Sequence, residues 1–199
     1  MECAKNTKNK SHIFVISGPS GVGKGTLLSM LIKKHPEISL SISVTTRKPR
    51  HKETDGVNYF FTAKEIFENL IKEEKLLEWA EFAGNYYGTY LKTVEKALSE
   101  NKDIALEIDV KGAVQIKEKI KEAVLIFIMP PSMEELQTRL FKRSTESKEI
   151  IEKRLAVVTS EIESKKEFDY EIINEDLDEA LRNLEAIILA ERCRITDTQ

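Results

Sequence analysis

The stretch His12-Ile-Phe-Val-Ile-Ser17, followed at once by Gly18-Pro-Ser-Gly-Val-Gly-Lys-Gly-Thr26, decides the fold. An apolar, β-branched run reads as a buried strand, and four glycines within eight residues interrupt regular structure before "LLSMLIKK" resumes with helical character. Gly18, Gly23 and Lys24 fit Gly-x4-Gly-Lys in the strand-to-helix setting that this motif requires. Glycines let successive amides turn inward as an anion nest at a helix N-terminus, and Lys24 adds a point charge toward the β and γ phosphates of a nucleotide. A dinucleotide fingerprint is disfavoured, because G-x-G-x-x-G cannot be read in the stretch. Gly25 stands where a magnesium-binding Ser or Thr usually follows the lysine. Either Thr26 turns its hydroxyl to a phosphate, or the metal is held through water and substrate phosphates.

Outward from this loop, further short apolar runs occur at residues 40–44, 104–109, 123–129 and 170–173, with charged segments of helical spacing between most of them. That alternation predicts a parallel sheet covered by helices. Pro130 and Pro131 stop the fourth run, and capping-box pairs, Thr62 with Glu65 and Ser132 with Glu135, mark two helix starts. Residues 45–90 break the rhythm with a basic turn, a short aromatic strand at 57–61, a helix and "LLEWAEFAGNYYGTY", which predicts an inserted antiparallel lobe. Residues 139–154 form a second, strongly charged interruption.

A chain of 199 residues with 41% hydrophobic, 33% charged and 7% aromatic residues predicts one compact α/β unit. The run at 123–129 is far too short to cross a bilayer, and the polar start "MECAKNTKNKSH" lacks the apolar segment of a secretory signal, so a cytoplasmic location is expected. Cys3 and Cys193 have no metal-type spacing and read as free thiols. A net charge of −3 argues against a general nucleic-acid binder. His12, His35 and His51 are scattered and carry no chemistry.

The rest of the site has to separate ATPases, GTPase switches and kinases. "DVKG" at 109–112 fits the D-x-x-G of GTPases, but "NKDI" at 101–104 has isoleucine where the guanine-reading aspartate belongs. In the inserted lobe, Arg47 and Arg50 offer two guanidinium forks and Tyr59 a phenol, which together suit a second dianionic phosphate. Downstream stand Glu78, Tyr87 and Thr89. A carboxylate accepts from both N1–H and N2–H2 of guanine, a donor pair that adenine lacks. Tyr86 and Tyr87 point opposite ways on an extended chain, so only one faces the phosphate.

Together "SVTTRKPR…E…G…Y", "EWAEFAGNYYGTY", the "EID" strand end and "RST…KR" resemble the guanylate kinase family over nearly the whole chain. The resemblance implies a P-loop three-layer α/β fold with a five-stranded parallel sheet, an inserted antiparallel GMP-binding lobe and a helical lid. Its boundaries here would be a polar tail at 1–11, a core at 12–42, 91–137 and 155–199, the lobe at 43–90 and the lid at 138–154. It implies transfer of the γ-phosphoryl group of ATP to GMP with Mg2+, giving ADP and GDP, in a monomer or homodimer without nucleic-acid or membrane partners. Use of dGMP is left open. The rival readings are a kinase of another nucleoside monophosphate and a non-catalytic module of the same family that binds phosphoproteins.

By position, Ser43, Glu78, Thr89 and Glu107 would face the guanine, and Arg47, Arg50, Tyr59 and Tyr87 the GMP phosphate. Gly18, Pro19, Ser20, Gly21, Val22, Gly23, Lys24, Gly25, Thr26 and Asn174 would hold ATP, with Asn174 near its adenine. Lys24, Arg47, Arg139, Arg143 and Arg154 would carry catalysis, the last three from the lid. Asp109, two residues beyond Glu107 and so on the same strand face, would sit near the metal or its waters, with Thr26 as the other metal candidate. Because the acceptor phosphate is already anionic, no general base is expected.

Overall fold

A computed structural model of the chain describes residues 11–143 and 158–195, with side chains at 140–143 outside that description. Five strands form a parallel sheet in the order β2 (Ser39–Leu40), β7 (Ile104–Glu107), β1 (Ile13–Ser17), β8 (Val124–Met129), β9 (Tyr170–Ile173). All five residues of β1 are buried, as a central strand with helices on both faces requires. Its side chains alternate between two cores. Phe14 and Ile16 pack with Leu27, Leu31, Leu184 and Ile188 of α1 (Lys24–Lys34) and α7 (Leu177–Arg192). Ile13 and Val15 pack with Val94, Ala97, Ala113 and Ile116 of α3 (Leu91–Ser99) and α4 (Val110–Lys119).

The run at 40–44 does not form one strand: Leu40 ends β2, and Val44 begins β3 (Val44–Thr45) in a different sheet. The second sheet has the order β4-β3-β6-β5, with β4 at Phe60–Phe61, β5 at Leu76–Phe82 and β6 at Asn85–Tyr90. It is not wholly antiparallel. β3 pairs antiparallel with β6 but parallel with β4, because the loop at 46–59 carries the chain back before it pairs again. Only Phe60 and Phe61 of the expected aromatic strand are regular. A small core of its own, Val44, Phe67 and Leu76 with Phe60 and Tyr86 against it, holds this lobe together around α2 (Lys64–Lys72).

Helix starts divide the two capping expectations. Ser132 Oγ accepts from Glu135 N at 3.1 Å before α5 (Met133–Arg143), as expected. Thr62 does not cap α2: its N–H is spent on Thr45 O at 2.9 Å, so the N-cap falls on Ala63, which offers no side-chain bond. Helical residues 158–163 are α6, whose Val158 and Ile162 pack on Leu136 of α5. Among the described residues no helix is long and apolar enough to cross a membrane.

At the end of the sheet away from the glycine loop, Asp103 joins three elements. Its carboxylate accepts from His12 N at 2.7 Å and from Arg192 Nε at 2.7 Å, and it is only 9% exposed. Asp103→Ala should therefore lose about 2–3 kcal/mol in chemical denaturation, through an unpaired donor at β1 and a stranded guanidinium on α7. Turnover per folded molecule should stay unchanged, since the cradle lies at the opposite end of β1.

Candidate active site

The first half of the site is made where β1 ends. Gly18 has φ 136°, and a Cβ there would stand 2.3 Å from the carbonyl oxygen of Ile128, so the loop lies against the backbone of β8. Gly23, at φ 103°, is the N-cap of α1, and a Cβ there would meet the Asn174 amide at 2.6 Å. Asn174, buried just past β9, donates from Nδ2 to Val22 O at 2.7 Å and from its backbone N to Met129 O at 2.8 Å. It clamps the loop to the ends of β8 and β9. One of its amide hydrogens is thereby committed to the loop.

Lys24 folds its ammonium over the loop, donating to Gly18 O and to Pro19 O. Burial pulls its pKa down, and Glu107, then Glu161 and Asp109, pull it back up. Gly25 follows a different logic from its neighbours. It has no positive φ and starts a helix, where glycine costs about 0.5–1 kcal/mol against alanine. A Cβ there would lie 3.2 Å from Glu107 Oε2. The place of the usual hydroxyl side chain is taken by a carboxylate from β7. Thr26 is exposed on the first turn of α1.

The second half is built on β5 and β6. An irregularity between Leu76 and Glu78 breaks the alternation of β5, so that Leu76, Leu77 and Glu78 are all buried. Glu78 faces Thr89 across the ladder, and Thr89 Oγ1 donates to Glu78 Oε1 at 2.7 Å. Burial pushes the Glu78 carboxyl up to about 7, with the Thr89 bond opposing and Asp109 adding to the rise. Gly112 makes room: a Cβ there would stand 2.4 Å from Glu78 Oε2. Asp109 is not on the β7 strand face with Glu107, because β7 ends at Glu107. It is the N-cap of α4, accepting from Gly112 N at 2.7 Å, and so stands beside Glu78.

Tyr59 and Tyr87 meet edge to face at 6.2 Å, with the Arg47 guanidinium 5.3 Å from the Tyr59 ring centre. Burial pushes the Tyr59 hydroxyl up, which keeps it a proton donor at neutral pH. Tyr86 points the other way, stacked on Phe67 at 5.4 Å. Arg50 is exposed. Arg139 Nε bonds Glu135 at 3.0 Å, and its Nη1 reaches Asn174 O at 3.3 Å, which ties α5 to the loop clamp. The side chain of Arg143, and Arg154 altogether, lie outside the described residues, as does Cys3.

One cavity of about 180 Å³ joins the halves: Gly18, Ser20 and Lys24 at one side, Ser43, Tyr59, Glu78 and Tyr87 at the other, and Glu107 and Asp109 between. It adds Glu161 of α6, which no motif had marked; its carboxyl is raised by burial and steadied by Lys24. Hard oxygen donors from Glu107, Asp109 and Glu161 suit magnesium. Among the described residues no three acidic, imidazole or thiol side chains group closely enough to hold a metal by themselves.

Comparison with known proteins agrees with this geometry. The model of the guanylate kinase family matches residues 10–191. The guanylate kinase of Desulfitobacterium hafniense (strain Y51) is 46% identical over 188 residues, covering 94% of each chain. That of Caldanaerobacter subterraneus subsp. tengcongensis is 50% identical over 188 residues, covering 94% of this chain and 91% of the relative. The crystal structure of guanylate kinase from Anaplasma phagocytophilum superposes with a TM-score of 0.77 at 35% identity, covering 94% of this chain and 88% of that one. With the family model spanning residues 10–191 and these relatives at 46–50% identity over 94% of the chain, the chain belongs to the guanylate kinase family.

Proposed function

We propose that the chain transfers the γ-phosphoryl group of ATP to a phosphate oxygen of GMP, giving ADP and GDP. The observation that carries this reading is the single cavity that runs from the Lys24 cradle to the buried Glu78–Thr89 pair. ATP phosphates lie on the amides of residues 18–26, with Lys24 at their charge centre. The guanine donates N1–H and N2–H2 to Glu78, whose Oε1 already accepts from Thr89 Oγ1; Ser43 completes that end. Arg47, Arg50, Tyr59 and Tyr87 take the GMP phosphate.

Magnesium, when bound, would supply neutralisation of phosphate charge. Glu107 and Asp109 are the residues facing it and its waters, and Thr26 is the hydroxyl available from the loop. Glu107 stands on the loop side, by its approach to Gly25, and Asp109, the N-cap of α4, lies between Lys24 and Glu78. The acceptor oxygen is anionic at neutral pH, so catalysis rests on in-line placement and charge stabilisation. Arg139, Arg143 and Arg154 supply the closing positive charge. Asn174 serves as the clamp of the loop.

Incubation with ATP, magnesium and each nucleoside monophosphate should give diphosphate from GMP, and no product from GMP would reject the reading. Lys24→Met should lower kcat by about 10² or more with little change in Tm, because it removes charge stabilisation and not packing. Glu78→Gln should cut kcat/KM for GMP at least tenfold, by losing the acceptor pair.

The raised Glu78 carboxyl also fixes two pH dependences. In the folded state it binds its proton more tightly than in the unfolded chain, so its contribution to stability is greatest below pH 4.5 and is lost as pH rises to about 7. Glu78→Gln should thus raise Tm by a few degrees at pH 8, with the gain shrinking toward pH 5. Guanine needs the ionised form. GMP affinity should fall by up to about tenfold from pH 8 to pH 6 beyond the titration of the GMP phosphate itself, and the excess should vanish in Glu78→Gln.

A further inference from the structure

Glu53 lies in the loop between β3 and β4 and has no role in the reading so far. Its carboxylate closes a bidentate pair with Arg47: Nη1 donates to Oε2 and Nη2 to Oε1, both at 2.9 Å. The other Nη1 hydrogen goes to Lys48 O at 2.8 Å. Glu53 is itself held, because Oε2 also accepts from Arg50 N at 2.7 Å and the Glu53 N–H returns to Arg50 O at 3.0 Å. The guanidinium plane lies against the rings of Tyr59, at 5.3 Å, and Phe61, at 5.8 Å. Both side chains of the pair are largely covered, at 14% and 18% exposure, so the pair is not a solvent-screened surface contact.

A guanidinium has two edges that match an oxyanion: the terminal pair and the side pair made of Nε–H and the second Nη2–H. Glu53 and Lys48 occupy the terminal pair and the outer Nη1 hydrogen. The side pair is the edge turned away from Glu53, and the Tyr87 hydroxyl, itself assigned to the same phosphate, bonds the guanidinium there in place of an anion.

We propose that Glu53 is the positioning residue of the GMP-phosphate subsite: it seizes the terminal fork of Arg47 and so presents the side edge to the incoming phosphate. This inference rests on the reading that Arg47 binds that phosphate. Glu53 settles the rotamer freedom of a long side chain during folding, so that GMP does not have to. Arg50 gains too, since its backbone is fixed by the same carboxylate.

Charge alone argues for the opposite sign: removing a carboxylate from a phosphate subsite should tighten anion binding. The direction of the change therefore decides the matter. We would measure KM and kcat for GMP at saturating ATP, KM for ATP, and Tm, in Glu53→Gln, Glu53→Asp, Arg47→Ala and Arg47→Ala/Glu53→Gln. Expected is a rise of about tenfold in KM for GMP in Glu53→Gln, with kcat within about twofold and KM for ATP unchanged. Glu53→Asp, which keeps the carboxylate, should recover part of the loss. In the Arg47→Ala background, Glu53→Gln should add no more than about twofold, the residue of its bond to Arg50. An unchanged or lower KM for GMP in Glu53→Gln, or a full effect persisting without Arg47, overturns the inference and leaves the subsite reading intact. An unchanged KM for GMP in Arg47→Ala overturns both.

Discussion

Everything in this molecule depends on how the loop after β1 is seated. Gly18 presses on the carbonyl of Ile128, Asn174 grips the carbonyl of Val22, and Gly23 turns the chain into α1. These contacts leave the amides at the start of α1 facing the cavity, with the Lys24 ammonium bent back over the loop's own carbonyls. The two cores behind β1 make this seat rigid, because every residue of that strand is buried among helices on both faces. The binding surface is thus backbone, held by packing.

The opposite end of the cavity works by the reverse device. Glu78 is a carboxyl kept almost out of water, raised to about 7, with hydrogen bonds from Thr89 and a glycine-made gap beside it. Such a group is a liability to the empty protein, and in the proposed function that liability would discriminate: two well-placed N–H donors would satisfy it and a base without them would leave the charge unpaired. Stability is surrendered at one residue so that selectivity can be high there. The lobe that carries Glu78 has its own small core, centred on Phe67, while Leu77 beside it packs into the core behind β1, so the base end of the cavity is seated on both units.

How far the sequence could be read follows from the range of the forces involved. The main strands, the cradle and the lobe were legible, since hydrophobic runs, glycine spacing and the Arg47, Arg50, Tyr59 and Glu78 motifs are local patterns. The split of residues 40–44 between two sheets was not, because two-residue strands leave no periodicity. The burial of Glu78 depends on an irregularity in β5 that no propensity announces. Asp109 was expected on the face of Glu107, but the chain leaves β7 one residue too early for that alternation to continue. Glu161 stayed hidden, and Glu53 was quoted in a motif but given no role, for the same reason: an acidic side chain in a charged segment reads as solvated until tertiary structure brings it to Lys24 or Arg47. Gly25 shows the converse, an unusual letter whose reason is a carboxylate brought in from another strand.

The central claim is that one cavity receives both nucleotides with their phosphates facing each other. An adenosine and a guanosine joined through a chain of five phosphates tests this directly by calorimetry and competition. The account predicts one equivalent bound per chain, displaced by ATP and by GMP, with affinity above that of either nucleotide by on the order of 10² to 10⁴. The analogue carrying adenosine at both ends should bind far more weakly. Competition with ATP alone, or equal binding of the two analogues, would contradict it.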